Sequence, residues 1–312
     1  MNIIITGHKG YIGSVLKKYL EGFGYRVYGL DLRDVPSNDY TGIRRLITAI
    51  PYEVDAVVHL GAHSLLGPSV KDPFSYYDNN VVRSTDMLKA LINSGWRGKF
   101  IFASSAAVYG NHRNTILEFD EKNPINPYGK TKLHFEHILQ DAFEAYEFQS
   151  TSFRFFNVCG ADILNNTGQS SDQPHIITSM CRAAAAGRNF TINGQAYETY
   201  DGTCVRDYIH VLDVCRAILS ELLVGNYGAQ AYNLSTGVGT SNLDLFRRFK
   251  QVTGTKIDFE IGPYRPGDPH HLVGSSKKFQ TRDLKFLAHY NGSYVDNIIE
   301  SAWKYYKDNN ND

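Results

Sequence analysis

Cysteine is scarce in this chain of 312 residues, and the four cysteines that are present lie far apart in the sequence. Their spacing contains no C-x-x-C pair, which disfavours a zinc site and a fold held together by disulfides. It predicts reduced thiols in a cytoplasmic protein without a metal centre. The formal net charge is zero and the sequence has no basic stripe, so we expect no nucleic acid among the partners.

Long hydrophobic runs are also missing. None approaches the roughly 20 residues that span a bilayer. No charged segment followed by an apolar stretch precedes the first predicted strand, as a signal peptide would require. We therefore expect neither a membrane partner nor a signal peptide. The chain is long enough for a large core in one elaborate domain or in two modest ones.

The amino-terminal segment has the features of a nucleotide-binding loop. An apolar run at residues 3–5 predicts a buried strand, and Gly7, Gly10 and Gly13 follow it in G-x-x-G-x-x-G spacing before a helical pattern begins. Gly7 and Gly10 would let the backbone turn tightly and approach phosphates, and Gly13 would let helix and strand pack closely. This order of elements predicts a dinucleotide site with a pyrophosphate at the helix amino terminus.

An acidic residue closes the next predicted strand, where a ribose would lie. The strand covers residues 26–30, and Asp31 follows it. The Asp31 carboxylate can accept hydrogen bonds from the adenosine ribose hydroxyls, whereas it would repel a 2′-phosphate. The pattern therefore favours NAD over NADP. The alternative is a set of glycines that serves only a tight turn, and the flanking strand, helix and acid speak against it.

Strands and helices alternate along the first half of the chain. Further buried strands are predicted at 55–60, 99–103 and 150–155, with long amphipathic helices over 73–94 and 127–146. Such alternation predicts an α/β fold with a Rossmann-type, doubly wound parallel sheet that is covered on both faces. A ligand would then lie at the carboxyl ends of the strands.

Beyond residue 157 the pattern becomes less regular and predicts a smaller α/β part. We expect a Rossmann domain over residues 1–158 and a smaller substrate domain over 159–312, with segments around 205–240 packing back on the first domain. The predicted elements of the second part are helices near 175–187, 211–224, 241–252 and 294–308 and strands near 190–193, 231–234 and 257–261.

Three side chains suited to proton transfer follow the glycine loop. Ser105 comes after the fourth predicted strand, and Tyr128 and Lys132 lie one turn apart on the next predicted helix. A Lys ammonium beside a Tyr phenol favours the phenolate and lowers the pKa of the Tyr, so Tyr128 can act as a general base near neutral pH. The Ser105 hydroxyl can bind the same substrate oxygen. We predict that Ser105, Tyr128 and Lys132 are catalytic.

The Y-x-x-x-K spacing is weak by itself. With 21 tyrosines in the chain, roughly one such match is expected by chance. The alternative interpretation is a surface helix with an incidental lysine, and a serine that only caps a turn. The order of glycine loop, ribose acid, strand-end serine and helical Tyr–Lys pair favours the catalytic interpretation.

Eight segments of the chain match sequence motifs of one enzyme family. They are GYIGS (residues 10–14), YYDNNV (76–81), SSAAVYG (104–110), NPYGK (126–130), RFFN (154–157), DGTCVRDYIHV (201–211), YNL (232–234) and RPGD (265–268). With these motifs the chain resembles the extended short-chain dehydrogenase/reductase family, in particular its UDP-glucose (UDP-galactose) 4-epimerase branch. The resemblance covers nearly the whole chain, and DGTCVRDYIHV is the most specific motif because it lies outside the cofactor half.

Two alanines argue against one reaction of that family. Relatives that dehydrate nucleotide sugars place an acid after the strand-end Ser or Thr, where it assists loss of the 6-hydroxyl. Ala106 and Ala107 follow Ser105 in this chain. The resemblance therefore implies a reaction that needs only oxidation, turnover of the sugar and reduction.

The resemblance also implies which residues bind the two ligands. For NAD it implies the three loop glycines together with Tyr11, Ile12, Asp31, Leu60, Gly61, Ala62, Ser64, Asn79 and Phe156. For the nucleotide sugar it implies Asn157, His175, Thr191, Asn193, Arg206, Arg265, Asp268 and Leu272. The forked guanidinium groups in the second set suit a diphosphate, and its carboxylate suits ribose hydroxyls.

The chain departs from the family pattern at several positions. The stretch after Asp31 is short and lacks the usual adenine-binding motif, for which Asp39 is the best match. The loop after the third strand contains His63 and lacks the lysine that is common there. His175 stands where an asparagine is frequent. Leu272 falls where the family limits the sugar pocket, and its bulk disfavours N-acetylated sugars.

We therefore predict an NAD-dependent isomerase, a UDP-sugar 4-epimerase with UDP-glucose and UDP-galactose as the favoured pair. Tyr128 would take the proton of the sugar 4-hydroxyl, directly or through Ser105, and C4 would be oxidised on one face and reduced on the other. The alternatives are an epimerase of a UDP-N-acetylhexosamine or UDP-pentose, a nucleotide-sugar reductase, or a non-catalytic NAD-binding protein. By resemblance, two copies would form a homodimer through helices 73–94 and 127–146.

Overall fold

The chain folds around a six-stranded parallel sheet. The structure, a computed structural model, describes residues 1–31, 53–265, 267–283, 287 and 293–310. The strands of this sheet are β1 (Asn2–Thr6), β2 (Arg26–Leu30), β3 (Ala56–His59), β4 (Lys99–Ser105), β5 (Ser150–Phe155) and β9 (Ala229–Leu234). Their order is β2-β1-β3-β4-β5-β9, with every neighbouring pair parallel, which confirms the predicted Rossmann-type sheet.

Helices connect the strands and cover both faces of the sheet. Within the described residues they are α1 (Tyr11–Gly22), α2 (Leu66–Lys71), α3 (Pro73–Tyr77), α4 (Arg83–Asn93), α5 (Pro127–Tyr146), α6 (Ile176–Ala185), α7 (Val211–Val224), α8 (Asn242–Thr253), α9 (Lys277–Gln280) and α10 (Tyr294–Asn309). A helix that the sequence predicts over residues 43–50 lies outside the described residues. In the part of the chain that is described, no helix has the length and apolar character needed to cross a membrane.

Side chains of β1 alternate between two hydrophobic cores, one on each face of the sheet. Ile3 and Ile5 pack into a core with α1 and α7, and Ile4 packs into a second core with α4 and α5. All three isoleucines are fully buried. An unbroken apolar run is what a parallel strand with helices on both faces requires, so the short run at residues 3–5 predicts this environment correctly.

The predicted helix over residues 73–94 contains a break that its periodicity does not reveal. A π-helical turn (Asp78–Val82) separates α3 from α4. It places Asn79 and Asn80 in the interior, where both are buried. The Asn80 side chain accepts a hydrogen bond from the His63 N–H (2.8 Å) and donates one to the His63 carbonyl oxygen (2.9 Å). The break thus fixes the loop that follows β3.

The carboxyl-terminal part adds two small sheets and a further core. The four strands of the first small sheet are β6 (Asn157–Cys159), β8 (Val205–His210), β10 (Gly239–Ser241) and β12 (His271–Leu272). The second small sheet pairs β7 (Phe190–Asn193) with β11 (Phe259–Gly262). Helices α6, α8 and α10 pack around the core of this part.

Two elements of the second half of the chain lie on the first sheet. Strand β9 pairs with β5 at the edge of the six-stranded sheet, and α7 packs against α1. Residues 211–234 of the segment around 205–240 thus pack on the six-stranded sheet, whereas β8 and β10 at its two ends belong to the first small sheet. The division into domains 1–158 and 159–312 stays a prediction.

Candidate active site

One large cavity opens at the carboxyl ends of the parallel strands, where the topology of such a sheet predicts a ligand. Its volume is about 1750 Å³, and its wall includes the residues that follow β1, β3 and β5, which are Gly7, Leu60 and Phe156. Ser105, the last residue of β4, lies in the same wall. Residues from both parts of the chain therefore share a single cavity.

The glycine loop after β1 fits tightly against neighbouring backbone. Gly7 has a φ of +70°, and a Cβ built there would lie 2.8 Å from the Cα of Gly61. A Cβ on Gly13 would lie 2.2 Å from the carbonyl oxygen of Gly7. Gly10 precedes α1 in an extended conformation, and no side chain caps that end of the helix. The first N–H groups of α1 therefore remain available to a pyrophosphate in the cavity.

Asp31 lies behind the glycine loop, at the end of β2. It is 9% exposed, and its carboxylate accepts a hydrogen bond from the backbone N–H of Lys9 (3.3 Å). A buried carboxylate at this place fits ribose hydroxyls and disfavours a 2′-phosphate, so the residues present fit NAD. Asp39, the expected adenine-binding acid, lies outside the described residues.

A buried histidine supports the loop after β3. His59 Nδ1 lies 2.6 Å from Thr6 Oγ1, and His59 Nε2 lies 2.9 Å from Ser84 Oγ. Burial lowers the pKa of His59 to about 3, so the ring is neutral. Thr6 Oγ1 also accepts a hydrogen bond from the N–H of Gly61 (3.1 Å). Gly61 is thus held beneath Gly7, and the part of this loop that lines the cavity includes Leu60, Ala62 and Ser64.

Most of the other expected cofactor residues reach the same wall. Tyr11, Ile12 and Phe156 line the cavity, and the Tyr11 hydroxyl donates a hydrogen bond to the Gly160 carbonyl oxygen (2.6 Å). Asn79 is buried in the π-helical turn and does not line the cavity. Asn79, like Asp31 and Gly61, therefore lies behind the wall.

Ser105, Tyr128 and Lys132 meet in the cavity, as the order of the motifs predicts. The Ser105 hydroxyl accepts a hydrogen bond from the N–H of Ala107 (3.2 Å) and lies close enough to the Tyr128 phenol to lower its pKa. Lys132 is buried, and its Nζ donates a hydrogen bond to the carbonyl oxygen of Ala103 (2.7 Å). The same Nζ lies 5.9 Å from the centre of the Tyr128 ring.

The ionisation of Tyr128 differs from the expectation. Burial raises the pKa of Tyr128 to about 12, and the Ser105 hydroxyl opposes that rise. Burial also lowers the pKa of Lys132 to about 7, opposed by the carboxylate of Glu136. Loss of hydration disfavours the charged phenolate of Tyr128. This effect is larger than any stabilisation by Lys132, whose ammonium donates its hydrogen bond to the Ala103 carbonyl oxygen. In the protein alone the net shift of the Tyr128 pKa is therefore upward, and the role of Lys132 in forming the phenolate stays a prediction.

All eight expected substrate residues line the cavity. They are Asn157 on β6, His175 before α6, Thr191 and Asn193 on β7, Arg206 on β8, Leu272 on β12, and Arg265 and Asp268 between β11 and β12. Burial lowers the pKa of His175, so its ring is neutral at physiological pH. This end of the cavity therefore combines two cations, neutral hydrogen-bonding groups, a carboxylate and one bulky aliphatic side chain.

The guanidinium of Arg206 is held in a buried position. Arg206 is 8% exposed, and its Nη1 donates a hydrogen bond to the carbonyl oxygen of Val205 (2.9 Å). The carboxylate of the next residue, Asp207, accepts hydrogen bonds from the N–H groups of Gly237 (2.8 Å) and Gly274 (3.4 Å). Asp207 therefore braces the loops on either side of Arg206 and does not face the cavity.

Several residues of the cavity wall escape prediction from the sequence. Lys9 lies between Gly7 and Gly10, so its place in the glycine loop could have identified it as a residue of the cavity wall. Gln169 and Arg188 lie in stretches without a motif, and only the fold brings them to the wall. Among the described residues, no group of three or more His, Cys, Asp or Glu side chains is placed to hold a metal ion.

Comparison with known proteins extends these observations. The sequence model of the NAD dependent epimerase/dehydratase family matches residues 3–234. The UDP-glucose 4-epimerase of Halalkalibacterium halodurans is 36% identical over 327 residues, which cover 99% of this chain and 96% of that protein. The UDP-glucose 4-epimerase of Lactobacillus helveticus is 36% identical over 331 residues, covering 98% of this chain and 97% of the relative.

Solved structures share the fold over the whole chain. The UDP-glucose 4-epimerase of Brucella ovis in complex with NAD superposes with a TM-score of 0.86 at 36% identity, covering 98% of each chain. The enzyme of Bifidobacterium longum in complex with NAD+ and UDP superposes with a TM-score of 0.88 at 27% identity, covering 99% of each chain. The resemblance expected from the motifs is confirmed: the chain belongs to the NAD-dependent epimerase/dehydratase family, and its cofactor is NAD.

Proposed function

We propose that this protein is a UDP-sugar 4-epimerase that interconverts UDP-glucose and UDP-galactose. The observation that carries the proposal is one cavity whose wall contains the glycine loop, the Ser105–Tyr128–Lys132 set and Arg206. Such a cavity can hold a dinucleotide and a nucleotide sugar side by side. The named relatives that match this chain over nearly its full length are UDP-glucose 4-epimerases, which supports the same reaction.

The cofactor side of the proposal assigns the pyrophosphate to the amino terminus of α1. Gly7, Gly10 and Gly13 keep side chains away from that end of the helix. Asp31 accepts from the adenosine ribose, and the loop after β3 covers the dinucleotide. Tyr11, Ile12, Asn79 and Phe156 shape the rest of the site. Bound NAD supplies the acceptor and the later donor of a hydride at C4 of the sugar.

Tyr128 moves the proton in this proposal. As a phenolate it takes the proton of the sugar 4-hydroxyl, directly or through the hydroxyl of Ser105, which lines the same cavity. The same phenol returns a proton when the 4-keto group is reduced on its other face. Lys132 stabilises the phenolate as an ammonium one helical turn away. These roles need a cation near the phenol, because burial alone opposes its ionisation.

The substrate side must hold the nucleotide firmly while the sugar turns. Arg206 and Arg265 both line the cavity and offer guanidinium groups to the diphosphate. Asp268 accepts from the uridine ribose, and Asn157 binds a phosphate or the uracil edge. The remaining residues proposed to contact the nucleotide sugar are His175, Thr191, Asn193 and Leu272. With the diphosphate fixed, rotation about it presents the opposite face of the 4-keto sugar to the cofactor.

The size of Leu272 favours hexoses without an acetamido group. It lies on β12 directly beside Arg206 in the register of the sheet and is 6% exposed. Its bulk therefore narrows the sugar end of the cavity. The alternative is epimerisation of a UDP-N-acetylhexosamine or a UDP-pentose on the same fold. Leu272→Gly is the variant that should admit a UDP-N-acetylhexosamine.

A panel of UDP-sugars tests the proposed function. Purified protein is incubated with saturating NAD and each sugar nucleotide, and products are separated by chromatography. The proposal expects UDP-galactose to give UDP-glucose without net change in NADH absorbance. Consumption of added NADH in a one-to-one ratio with product would identify a reductase instead. If no sugar nucleotide reacts and NAD still binds, a non-catalytic protein is the correct description.

We further propose a homodimer formed through α3, α4 and α5. Phe74 on α3 is 82% exposed and Val82 in the π-helical turn is 48% exposed, which is apolar surface that a second copy would cover. Light scattering on the purified protein should give twice the mass of one chain. Val82→Glu should shift the protein toward the monomer, whereas Val238→Glu, on another exposed surface (59% exposed), should not.

We also infer a cytoplasmic location. All four cysteines are free, buried thiols in the structure, which suits a reducing compartment. Fractionation of the source cells with an antibody against the protein tests this inference, and recovery with secreted proteins would contradict it.

A further inference from the structure

A buried ion pair lies directly behind the catalytic set. Glu136 stands one helical turn after Lys132 on α5, and Arg154 lies on the neighbouring strand β5. Arg154 Nη2 and Glu136 Oε2 are 2.6 Å apart, and the two side chains are 6% and 8% exposed. Arg154 Nε donates a further hydrogen bond to the same carboxylate, 3.0 Å from Oε1. Burial of two charges is costly unless their geometry is good, so this pair calls for a reason beyond stability.

Consecutive residues of β4 connect this pair to the active site. The carbonyl oxygen of Ala103 accepts the hydrogen bond from Lys132, and the hydroxyl of the next residue, Ser104, donates to the Glu136 carboxylate. Ser104 also lines the cavity, next to Ser105. The strand end that carries the catalytic serine is therefore joined to α5 at Lys132 and again one turn later at Glu136.

The guanidinium of Arg154 is itself held from behind. Its Nη1 donates hydrogen bonds to the Tyr109 hydroxyl (2.7 Å) and to the Glu118 carbonyl oxygen (3.1 Å). The Tyr109 hydroxyl donates onward to the Asn233 side-chain oxygen (2.7 Å). These contacts fix the position of Arg154, and through it the carboxylate of Glu136.

Charged and titratable groups near Lys132 lie on α5, β5 and β3. On α5 they are the Glu136 carboxylate and the Tyr128 phenol, on β5 the paired Arg154, and on β3 the neutral His59 ring. Burial lowers the pKa of Lys132, and the Glu136 carboxylate opposes that effect. A fixed anion one turn from the lysine therefore favours the ammonium.

We propose that Glu136 is a positioning residue, fixed by Ser104 and Arg154, that keeps Lys132 in the ammonium form which the Tyr128 phenolate needs. Glu136 acts through Lys132 and does not touch the substrate. This inference rests on the proposed epimerase function. It adds a requirement that the motif residues alone do not contain, namely a buried carboxylate four residues after the lysine.

The pH profile of kcat for Glu136→Gln tests the proposal. Activity should fall on the alkaline side when Lys132 loses its proton, and without the carboxylate this fall should occur about one pH unit lower than in the wild type. Glu221→Gln is the matched control. Glu221 is also buried, bound by an arginine (Arg282, 2.9 Å) and a hydroxyl (Thr151, 2.8 Å), and it does not line the cavity. Its variant should keep the wild-type profile.

Arg154→Gln supplies a second variant with an effect of opposite sign. Removing the guanidinium leaves the Glu136 carboxylate unneutralised, so the alkaline fall of kcat should move to higher pH. Thermal unfolding identifies which variants are folded. The inference is overturned if wild-type protein is active and folded Glu136→Gln or folded Arg154→Gln loses kcat at the same alkaline pH as Glu221→Gln. A wild-type protein without epimerase activity would instead refute the proposed function, and this inference with it.

Discussion

Lys132 donates a hydrogen bond to the backbone carbonyl oxygen of Ala103 across 2.7 Å, and its Nζ lies 5.9 Å from the centre of the Tyr128 ring. Lys132 therefore has two structural roles, which the Y-x-x-x-K motif does not distinguish. It joins α5 to the end of β4, and it places a cation near the phenol. The protein alone keeps the Tyr128 phenol protonated, so the charge balance of the site decides whether the phenolate forms.

Tyr128→Phe should nearly abolish epimerisation, because it removes the group that takes the 4-hydroxyl proton. We expect kcat to fall by about 10²–10⁴-fold, with little change in NAD affinity measured by calorimetry. Tyr76→Phe is the control, since Tyr76 is a buried phenol nearby whose hydroxyl donates to the Leu65 carbonyl oxygen (2.6 Å). A Tyr128→Phe protein with near wild-type kcat would remove Tyr128 from the mechanism.

Lys132→Met should change the pH dependence of stability. The pKa of Lys132 is lowered by burial to about 7 from 10.5, so the unfolded chain binds more protons than the folded one between these values. The free energy of unfolding of the wild type therefore rises as the pH rises through this window. Below the window the folded protein bears the full cost of burying the charged Lys132 ammonium. The free energy of unfolding of Lys132→Met relative to wild type should be higher at pH 6 than at pH 10 by on the order of 4 kcal/mol.

Urea denaturation at the two pH values measures that difference. Lys89→Met is the control, because Lys89 is a surface residue whose side chain is 67% exposed. The stability of that variant relative to wild type should be the same at both pH values. An equal difference at pH 6 and pH 10 for Lys132→Met would contradict the perturbed ionisation of Lys132.

Gly13→Ala should damage the NAD site and the fold together. Its Cβ would lie 2.2 Å from the carbonyl oxygen of Gly7, so the loop backbone must shift. We expect a loss of about 1–3 kcal/mol of stability and a large loss of NAD affinity by calorimetry. Gly22→Ala, at the other end of α1, meets no atom within 4 Å and should bind NAD normally. Equal NAD affinity in the two variants would count against the glycine loop as the pyrophosphate site.

Arg206→Met should weaken binding of the nucleotide sugar and spare the cofactor. A charge-assisted hydrogen bond contributes about 1.5–3 kcal/mol, so KM for UDP-galactose should rise at least tenfold, while NAD affinity is unchanged. Arg113→Met removes the same charge from a side chain that is 90% exposed and paired with Glu198 on the surface. If both variants have the wild-type KM, the diphosphate lies elsewhere.

The sequence predicts the cofactor half well, because the tertiary environment of its residues there restricts which amino acids can occupy each position. A strand buried on both faces has to be an unbroken apolar run, as at Ile3, Ile4 and Ile5, and close backbone contact leaves only glycine at position 13. Strand-end residues such as Ser105 follow from the parallel topology once the strands are recognised. Ser105, Tyr128 and Lys132 therefore lie in the wall of one cavity, as their order in the sequence predicts.

Other features depend on contacts between distant parts of the chain. The π-helical turn that buries Asn79 and Asn80 has the same amphipathic pattern as a continuous α-helix. Strand β8 contains a buried carboxylate, Asp207, that only the loops at Gly237 and Gly274 can satisfy. The pKa of Tyr128 depends on hydration, which no spacing of residues encodes. These features become visible only when the chain is folded.

The most direct test of the account is the conversion of UDP-galactose by the purified protein with NAD, followed by chromatography and by absorbance at the NADH band. We expect UDP-glucose to form until the two sugar nucleotides reach equilibrium, with no net formation of NADH. Formation of a different product, stoichiometric consumption of added NADH, or no conversion by folded protein with NAD bound would contradict it.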